Sequence, residues 1–229
     1  MATVQIDDKS RQELYKACKV TTGLGIISYA YIWKPRPEED GKAPKYSTSF
    51  LIPKSDMKTL TKIKNAINAA AALGQADKWN GKLPEQPKHP LRDGDAEADE
   101  KGEEYRGHYF INATSTRRPR IVDFYVQDIV EEDEVYSGCK CRLSLNFYPF
   151  NTNGNKGIAC GLNHVQKIED GEPLGGARSK AEDDFADVSD LDLPFDEPAG
   201  TIPATPPAAP ATTPGADILN SINFGNTAA

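Results

Sequence analysis

Alternating apolar and polar residues predict that most of this chain folds into β-strands. Residues 22–33 (TGLGIISYAYIW) place three aromatic side chains, Tyr29, Tyr31 and Trp33, on one face of a strand. The opposite face of that strand is predicted to carry Leu24, Ile26, Ser28, Ala30 and Ile32. Further strands are predicted at residues 45–52, 108–114, 120–126, 139–150 and 157–168. The last two strands flank an Asn-Gly pair, which is typical of a β-hairpin turn.

One helix is predicted between the second and third strands. Ser55 and Asp56 supply N-cap groups, and Leu60, Ile63 and Ile67 follow at helical spacing. We expect Gly74 to end the helix, and we expect the carboxylate-rich residues 90–105 to stay at the surface. The predicted fold class is mainly β: a five-stranded OB-type barrel with one inserted helix and extra hairpins and loops.

Charge divides the chain near residue 178. Residues 1–178 contain 26 Lys+Arg and 25 Asp+Glu, whereas residues 179–229, which we call the acidic tail, contain 1 and 9. The net charge of −7 therefore comes from the tail, which also contains a Pro/Ala/Thr-rich stretch. An acidic tail on a near-neutral body is typical of a protein whose body binds polyanions. The predicted domains are an N-terminal extension (1–16), a binding domain (17–178) and a disordered acidic and Pro-rich tail (179–229).

The remaining composition argues against several classes of protein. No apolar run approaches the ~20 residues that would cross a membrane, and the N-terminus has no secretory signal, so we expect a cytoplasmic protein without a membrane partner. Cys139 and Cys141 are expected to pack as small hydrophobic residues, because they and Cys18 and Cys160 lack the C-x-x-C spacing of zinc sites. We expect neither a metal nor another cofactor.

Residues 139–150 (CKCRLSLNFYPF) suggest nucleic-acid binding. One face of this strand is predicted to be apolar, from Cys139 to Phe147, and the other is predicted to be basic, polar and aromatic. Proteins bind single strands through cations that contact phosphates and rings that stack on bases, at about 1–3 kcal/mol per stacked base. An ordinary solvated sheet face is the alternative interpretation.

Other predicted strands repeat this mixture of basic and aromatic residues. Several rings must also fill the core, and Phe50, Phe110 and Phe147 are the first candidates. Arginines 117, 118 and 120 could equally stabilise a loop. The candidate single-stranded DNA-binding residues are Tyr29, Tyr31, Trp33, Tyr46, Arg92, Tyr109, Arg117, Arg118, Arg120, Lys140, Arg142, Asn146 and Tyr148.

Five contiguous motifs resemble a family of tailed-phage single-stranded DNA-binding proteins. They are YSTSFLIPKSD (46–56), PLRDGD (90–95), GHYFINATSTRRP (107–119), VYSGCKCRLSLNFYPFNTNGNKGIACGLNHVQKIEDGEPLGG (135–176) and AEDDF (181–185). The resemblance covers approximately residues 17–186. It implies an OB-fold protein that coats single-stranded DNA during phage replication and recombination, with DNA contacts on the sheet face and around residues 117–120.

A second, shorter resemblance lies in the acidic tail. Residues 190–195 (DLDLPF) are similar to the acidic tip with which bacterial single-stranded DNA-binding proteins recruit replication and repair enzymes. In those proteins the tip is the C-terminus, whereas 34 residues follow Phe195 here. The candidate partner-binding residues are Asp183, Asp184, Phe185, Asp190, Asp192, Leu193, Pro194 and Phe195.

The sequence therefore predicts a sequence-independent single-stranded DNA-binding protein, not an enzyme, in the cytoplasm of a bacterial host. The expected partners are single-stranded DNA and, through a tail that also modulates DNA binding, replication or recombination proteins; self-association, if any, is expected to be weak. A strand-annealing recombination protein is one alternative. A metal-dependent nuclease built on the carboxylates of residues 93–100 is another, although no flanking apolar strand would hold those carboxylates rigid.

Overall fold

The described residues form eight strands of one mixed sheet, three α-helices and two short 3-10 helices. A computed structural model describes residues 6–36, 43–152 and 154–175, so the acidic tail and its candidate partner-binding residues lie outside the described residues. The helices are α1 (Asp8–Ala17), α2 (Met57–Asp77) and α3 (Ala98–Lys101), and the 3-10 helices are Glu103–Tyr105 and Glu132–Glu134. The strands are β1 (Lys19–Thr21), β2 (Gly25–Arg36), β3 (Lys45–Pro53), β4 (Leu91–Asp93), β5 (His108–Ser115), β6 (Arg120–Val122), β7 (Lys140–Thr152) and β8 (Asn155–Glu169).

The strand pairings return to their starting point. β7 pairs with β2, β2 with β3, β3 with β5, β5 with β8, and β8 with β7 again. These pairings are antiparallel except that of β5 with β8, and the three-residue strands β1, β4 and β6 attach to β7, β5 and β8. The mainly β prediction is confirmed. The closed series contains five strands, β2, β3, β5, β7 and β8. The short strands β1 and β4 were not predicted, because a three-residue strand is too short to show alternation.

Two apolar clusters lie on opposite faces of the sheet. The main core joins α2 to the inner faces of the long strands, and it includes Phe50 and Phe147 as predicted. Phe110 is also buried, but it belongs to a second cluster with Leu51, Ala98 and Tyr105. All four cysteines are buried free thiols, and the predicted packing of Cys139 and Cys141 as small hydrophobic residues is confirmed.

Helix α2 begins where the sequence predicts and ends later. The Asp56 side chain accepts a hydrogen bond from the Thr59 backbone N–H at 3.0 Å, which is an N-cap, and Leu60 and Ile63 are buried. The predicted end at Gly74 was wrong, because the helix continues to Asp77. Gly74 serves a contact instead, since a Cβ there would lie 2.6 Å from the Trp79 ring.

A bulge in β2 changes which side chains face the core. Leu24, which was predicted on the face opposite the aromatic residues, is 40% exposed, whereas Ile27 is fully buried against Phe50. The predicted assignment of residues to the two faces was therefore wrong before Tyr29. The register with β3 shifts between Ser28 and Tyr31, and Tyr29 has a φ of 48°. An extra residue at a bulge inverts the alternation that follows it. The prediction therefore holds only beyond the bulge, where Ile32 is buried.

Two other segments depart from the sequence interpretation. Residues 94–107, which we call the wall segment, bury Ala98 and Tyr105 while their carboxylates point outward, so this acidic stretch was wrongly assigned entirely to the surface. The strand predicted at residues 120–126 ends at Val122. There the Asp123 carboxylate accepts hydrogen bonds from the backbone N–H groups of Tyr125 and Gln127, each at 2.8 Å, and closes a turn.

The N-terminal helix α1 packs against α2. Arg11 donates two 2.7 Å hydrogen bonds to the Asp77 carboxylate, and Leu14 packs against the main core. None of the helices in the described part of the chain combines the length and the apolar character that a membrane span requires.

Candidate nucleic-acid interface

A row of mostly short, polar side chains crosses five strands on the sheet face opposite the main core, which we call the outer face. Pairing aligns Tyr31 of β2 with Ser47 of β3, and Ser47 with Thr114 of β5. Thr114 is level with Gly161 of β8, which is level with Asn146 of β7. We call these five residues the polar row. Four strand spacings of ~4.8 Å give a path of roughly 19 Å along the curved surface of the closed sheet.

The residues next to the polar row in the sequence show which face of the sheet its side chains project from. Ile32, Ala113, Phe147 and Cys160 are buried in the main core, so the adjoining residues project from the other face. Gly161 is required within the row, because a Cβ there would collide with the Asn146 side chain. Gly161 is buried beneath that side chain, so a bound strand would meet the half-buried Ser47, Thr114 and Asn146 along the row.

One end of the polar row is aromatic and basic. Tyr31 is 38% exposed, and the Arg36 guanidinium carbon lies 5.8 Å from the centre of its ring. Tyr29, two residues earlier, is 54% exposed because the bulge turns it outward. Exposed rings beside a cation are the groups that stack on bases and pair with phosphates.

The other end of the row has the same character. Tyr148, two residues beyond Asn146 on β7, is 41% exposed, and Lys19 of β1 pairs with Asn146 and is also exposed. Burial of part of the Tyr148 ring raises the pKa of its hydroxyl, which lies near the Thr114 hydroxyl. Tyr148 therefore stays neutral at physiological pH and can approach a phosphate backbone without charge repulsion.

The wall segment borders the polar row. Its Tyr105 and Ala98 cover Leu51 and Phe110 on the outer face, so one part of that face is buried under the wall segment. A cavity of about 460 Å³ opens at the margin, between the wall segment and the exposed tyrosines of β2. Leu174 and Gly175, the last described residues, also line this cavity.

Trp33 and Arg118 contact each other near the aromatic end of the row. The Arg118 guanidinium carbon lies 5.1 Å from the centre of the Trp33 ring, whose Nε1 donates a 3.0 Å hydrogen bond to the Val135 carbonyl. Trp33 also packs partly against the main core, so it stabilises the fold and leaves only part of its ring accessible to a ligand. Arg117 is exposed in the same loop, and the half-buried Tyr46 pairs with Ser115 at the loop's start.

Three predicted cations lie away from the polar row, on β6 and on the first half of β7. Arg120 pairs with Asp128, and Lys140 pairs with Glu169 at 2.9 Å. Arg142 donates hydrogen bonds to the Thr22 carbonyl and, at 3.4 Å, to Gln166. The basic face predicted for β7 is therefore divided. Asn146 belongs to the polar row and Tyr148 adjoins it, whereas Lys140 and Arg142 lie outside it.

Arg92 and Tyr109 are held by local contacts. The Arg92 guanidinium lies 4.3 Å from the Phe110 ring and 3.3 Å from the Glu97 carboxylate. Tyr109 packs against the main core beneath the Lys54 ammonium, which is 5.0 Å from its ring. Both residues are half-buried, so they offer less surface to a ligand than Tyr29 or Tyr31.

The carboxylates of the wall segment and of β4 form ion pairs. Lys54 binds Asp93 and Asp95, each at 2.6 Å, and Arg106 binds Asp99 and Glu103. Among the described residues, no group of three or more His, Cys, Asp or Glu side chains is placed to hold a metal ion. These carboxylates thus stabilise the wall segment by neutralising nearby cations.

Sequence reasoning missed part of the interface and one exposed apolar loop. Lys19, Arg36, Ser47, Thr114 and Gly161 were not selected, because only strand register brings them into line with Tyr31 and Asn146. The loop at residues 124–130 exposes Phe124, Tyr125, Val126 and Val130 by 61–76%. Asp128 lies within that loop, and Asp123 and the acidic residues 131–134 flank it, so we exclude it from an interface for polyanions.

Comparisons with known proteins converge on one group. Residues 18–193 match the family model described as "Enterobacter phage Enc34, ssDNA-binding protein". The single-stranded DNA-binding protein of bacteriophage Enc34, solved in complex with ssDNA, is 28% identical with a TM-score of 0.60, over 71% of this chain and 92% of that one. A second Enc34 structure is 25% identical with a TM-score of 0.58, over 76% and 93%. Protein p50 of Acyrthosiphon pisum secondary endosymbiont phage 1 is 28% identical in an alignment of 173 residues that covers 71% of this chain and 90% of that protein.

Proposed function

The chain belongs to the phage single-stranded DNA-binding family of the Enterobacter phage Enc34 protein, and from this we propose that it binds single-stranded DNA along the polar row. The observation that carries the proposal is the row itself: short polar side chains across five strands, with exposed tyrosines and a cation at each end. Bases would stack on Tyr29, Tyr31 and Tyr148. Arg36 and Lys19 would contact phosphates.

We propose that the sheet is an OB-type barrel. The support is the closed series of pairings from β7 through β2, β3, β5 and β8 back to β7. In OB folds, the face of the second and third barrel strands and the adjoining loops bind oligonucleotides. The corresponding strands here are β3 and β5, which contribute Ser47 and Thr114 to the middle of the polar row.

The biological role proposed from this binding is to coat and protect single-stranded DNA during phage replication and recombination in the host cytoplasm. Stacking and phosphate contacts are available to every base, so the protein can coat strands of any sequence. The acidic tail would compete with DNA for the cations and recruit replication or recombination proteins. The charge of the tail supports this role, since it holds nine carboxylates and one cation. The protein would act by binding, without catalysis.

The first experiment measures fluorescence anisotropy of a labelled ~30-nucleotide dT strand and of a matching duplex across a salt series. Stacking needs exposed bases, so we expect single-strand preference, with an affinity that falls as salt rises. Equal binding to the duplex, or no binding to either DNA even after removal of the tail, would reject the proposed function.

A second experiment locates the interface. Tyr31→Ala and Tyr148→Ala should each weaken single-strand binding by about 5- to 100-fold, because each removes a stacking ring. Tyr125→Ala is the matched control: Tyr125 is 76% exposed but lies in the acidic loop at residues 124–130. If Tyr125→Ala weakens binding as much as the other two substitutions, the polar row is not the binding surface.

A further inference from the structure

The cavity beside the polar row combines rings, a cation and a carboxylate. Tyr29, Tyr31 and Ser28 form its β2 side, and Lys101 and Glu104 of the wall segment form the other. Its volume of about 460 Å³ falls in the range of small-molecule sites, about 300–1,000 Å³. An aromatic surface facing polar groups across such a gap suits a flat, hydrogen-bonding ligand.

Glu104 gives this cavity a chemical preference. An ionised carboxylate only accepts hydrogen bonds, so it suits a base that presents an exocyclic amine, as in a glutamate contact to the cytosine N4 amine. Thymine has no exocyclic amine, and its one ring donor, the N3–H, lies between two carbonyl oxygens that a carboxylate repels. Resting on the proposed function, we propose that the cavity is a nucleobase site in which Glu104 selects cytosine, adenine or guanine over thymine.

The surroundings of Glu104 support a positioned carboxylate. Its carboxylate lies against the α-carbon of Gly102, where a Cβ would collide with it, and Gly102 has a φ of 126°. Glu104 is half-buried, and Lys101, on the same side of the cavity, lies 3.8 Å from the Glu97 carboxylate. The neighbouring Glu103 is exposed and pairs with Arg106 at 2.6 Å. The two glutamates therefore have different environments on one short helix.

The test compares labelled dC and dT strands of equal length at pH 8 with the full chain. We expect the wild-type protein to bind dC about five- to tenfold more tightly than dT. Glu104→Gln should bring this ratio close to one, because an amide both donates and accepts and so can also pair with thymine. Glu103→Gln removes the same charge from the same helix and should leave the ratio at its wild-type value.

The outcomes separate this inference from the proposed function. Tight binding of both strands with no preference for dC, or a preference that Glu104→Gln leaves unchanged, overturns the base selection alone. A ratio that Glu103→Gln changes as much as Glu104→Gln also overturns it, because general charge would then explain the effect. Failure to bind either strand instead rejects the proposed function.

Discussion

Tyr29 adopts a backbone conformation that few aromatic residues adopt. Its φ of 48° lies in the left-handed region, where a Cβ costs about 1–2 kcal/mol relative to glycine. The strain accompanies the bulge that turns Tyr29 outward beside Tyr31 and opens the cavity next to them. Strained residues of this kind cluster at binding sites, where the surrounding fold holds them in place.

Replacing Tyr29 separates its backbone strain from its ring. Tyr29→Gly should be more stable than Tyr29→Ala by about 0.5–1 kcal/mol, because glycine relieves the strain but adds entropy to the unfolded chain. Both variants lose the ring and should bind single-stranded DNA equally weakly. Urea unfolding and anisotropy test the two effects. A more stable Tyr29→Ala would show that the left-handed conformation is not maintained in solution.

Residue by residue, the sequence was informative where alternation was undisturbed. Cys141, Leu143, Leu145 and Phe147 are buried as predicted. The alternation of buried and exposed residues along this part of β7 is not interrupted by an extra residue in β7 itself. The face of β2 was wrong before Tyr29, because one extra residue at a bulge inverts a two-residue period and leaves no mark in composition. Ser47 and Thr114 were missed for a related reason, because only the pairing register of the strands places them in the polar row.

At the scale of elements, a close contact decides how α2 ends. Gly74 looked like a helix terminator, yet it lies inside the helix so that the Trp79 ring can approach, and Trp79 Nε1 then donates a 3.1 Å hydrogen bond to the Phe150 carbonyl. The contact joins α2 to the end of β7. Local sequence cannot reveal it, because Phe150 is 71 residues away from Trp79.

Gly74→Ala should therefore destabilise the protein although alanine is the better helix former. The added Cβ would lie 2.6 Å from the Trp79 ring and 2.8 Å from Pro149, and such overpacking costs about 1–3 kcal/mol. Ala72→Gly, at a half-buried position of the same helix, is the control and should cost about 1 kcal/mol through helix propensity. Urea unfolding measures both. Stabilisation by Gly74→Ala would show that the Trp79 contact is loose.

Charged side chains also stabilise the position of the wall segment. The Asp95 carboxylate accepts 2.6 Å hydrogen bonds from the Lys54 ammonium and from the Gly107 backbone N–H, and the Lys54 bond is the main reason that its pKa is lowered. A lowered pKa in the folded protein means that this contribution is present above about pH 4 and is lost as pH falls through the lowered pKa.

Asp95→Asn should lower the melting temperature at pH 7. The difference from wild type should shrink as pH falls below about 4, because the carboxylate of the unfolded wild-type chain is then protonated and that of the folded protein follows as pH falls through its lowered pKa. Glu100→Gln, an exposed position of α3, is the control and should change little at either pH. Thermal unfolding followed by circular dichroism at pH 7 and pH 3 provides the comparison. A difference that is the same at both pH values would mean that the charge of Asp95 does not contribute.

At the scale of the whole molecule, several cations of the body form exposed ion pairs. Arg120 pairs with Asp128 and Lys140 with Glu169. These two cations lie away from the polar row, but exposed pairs of this kind contribute only about 0–1 kcal/mol, so a phosphate of a strand that extends beyond the row can replace the carboxylate at little cost. The same reasoning applies to the acidic tail, whose nine carboxylates could occupy the cations that DNA would use.

Removing residues 179–229 should therefore tighten single-strand binding on the order of tenfold at about 50 mM salt, and the gain should fade toward 1 M, where charges beyond about 3 Å are screened. Changing the nine tail carboxylates to amides is the matched control, because it keeps tail length and removes charge. Anisotropy titrations of the three proteins across a salt series give the result. If the amide variant binds like the wild type while the truncation binds more tightly, the tail acts by occupying space. If all three bind alike, the tail does not compete with DNA, and its role is confined to recruiting partners.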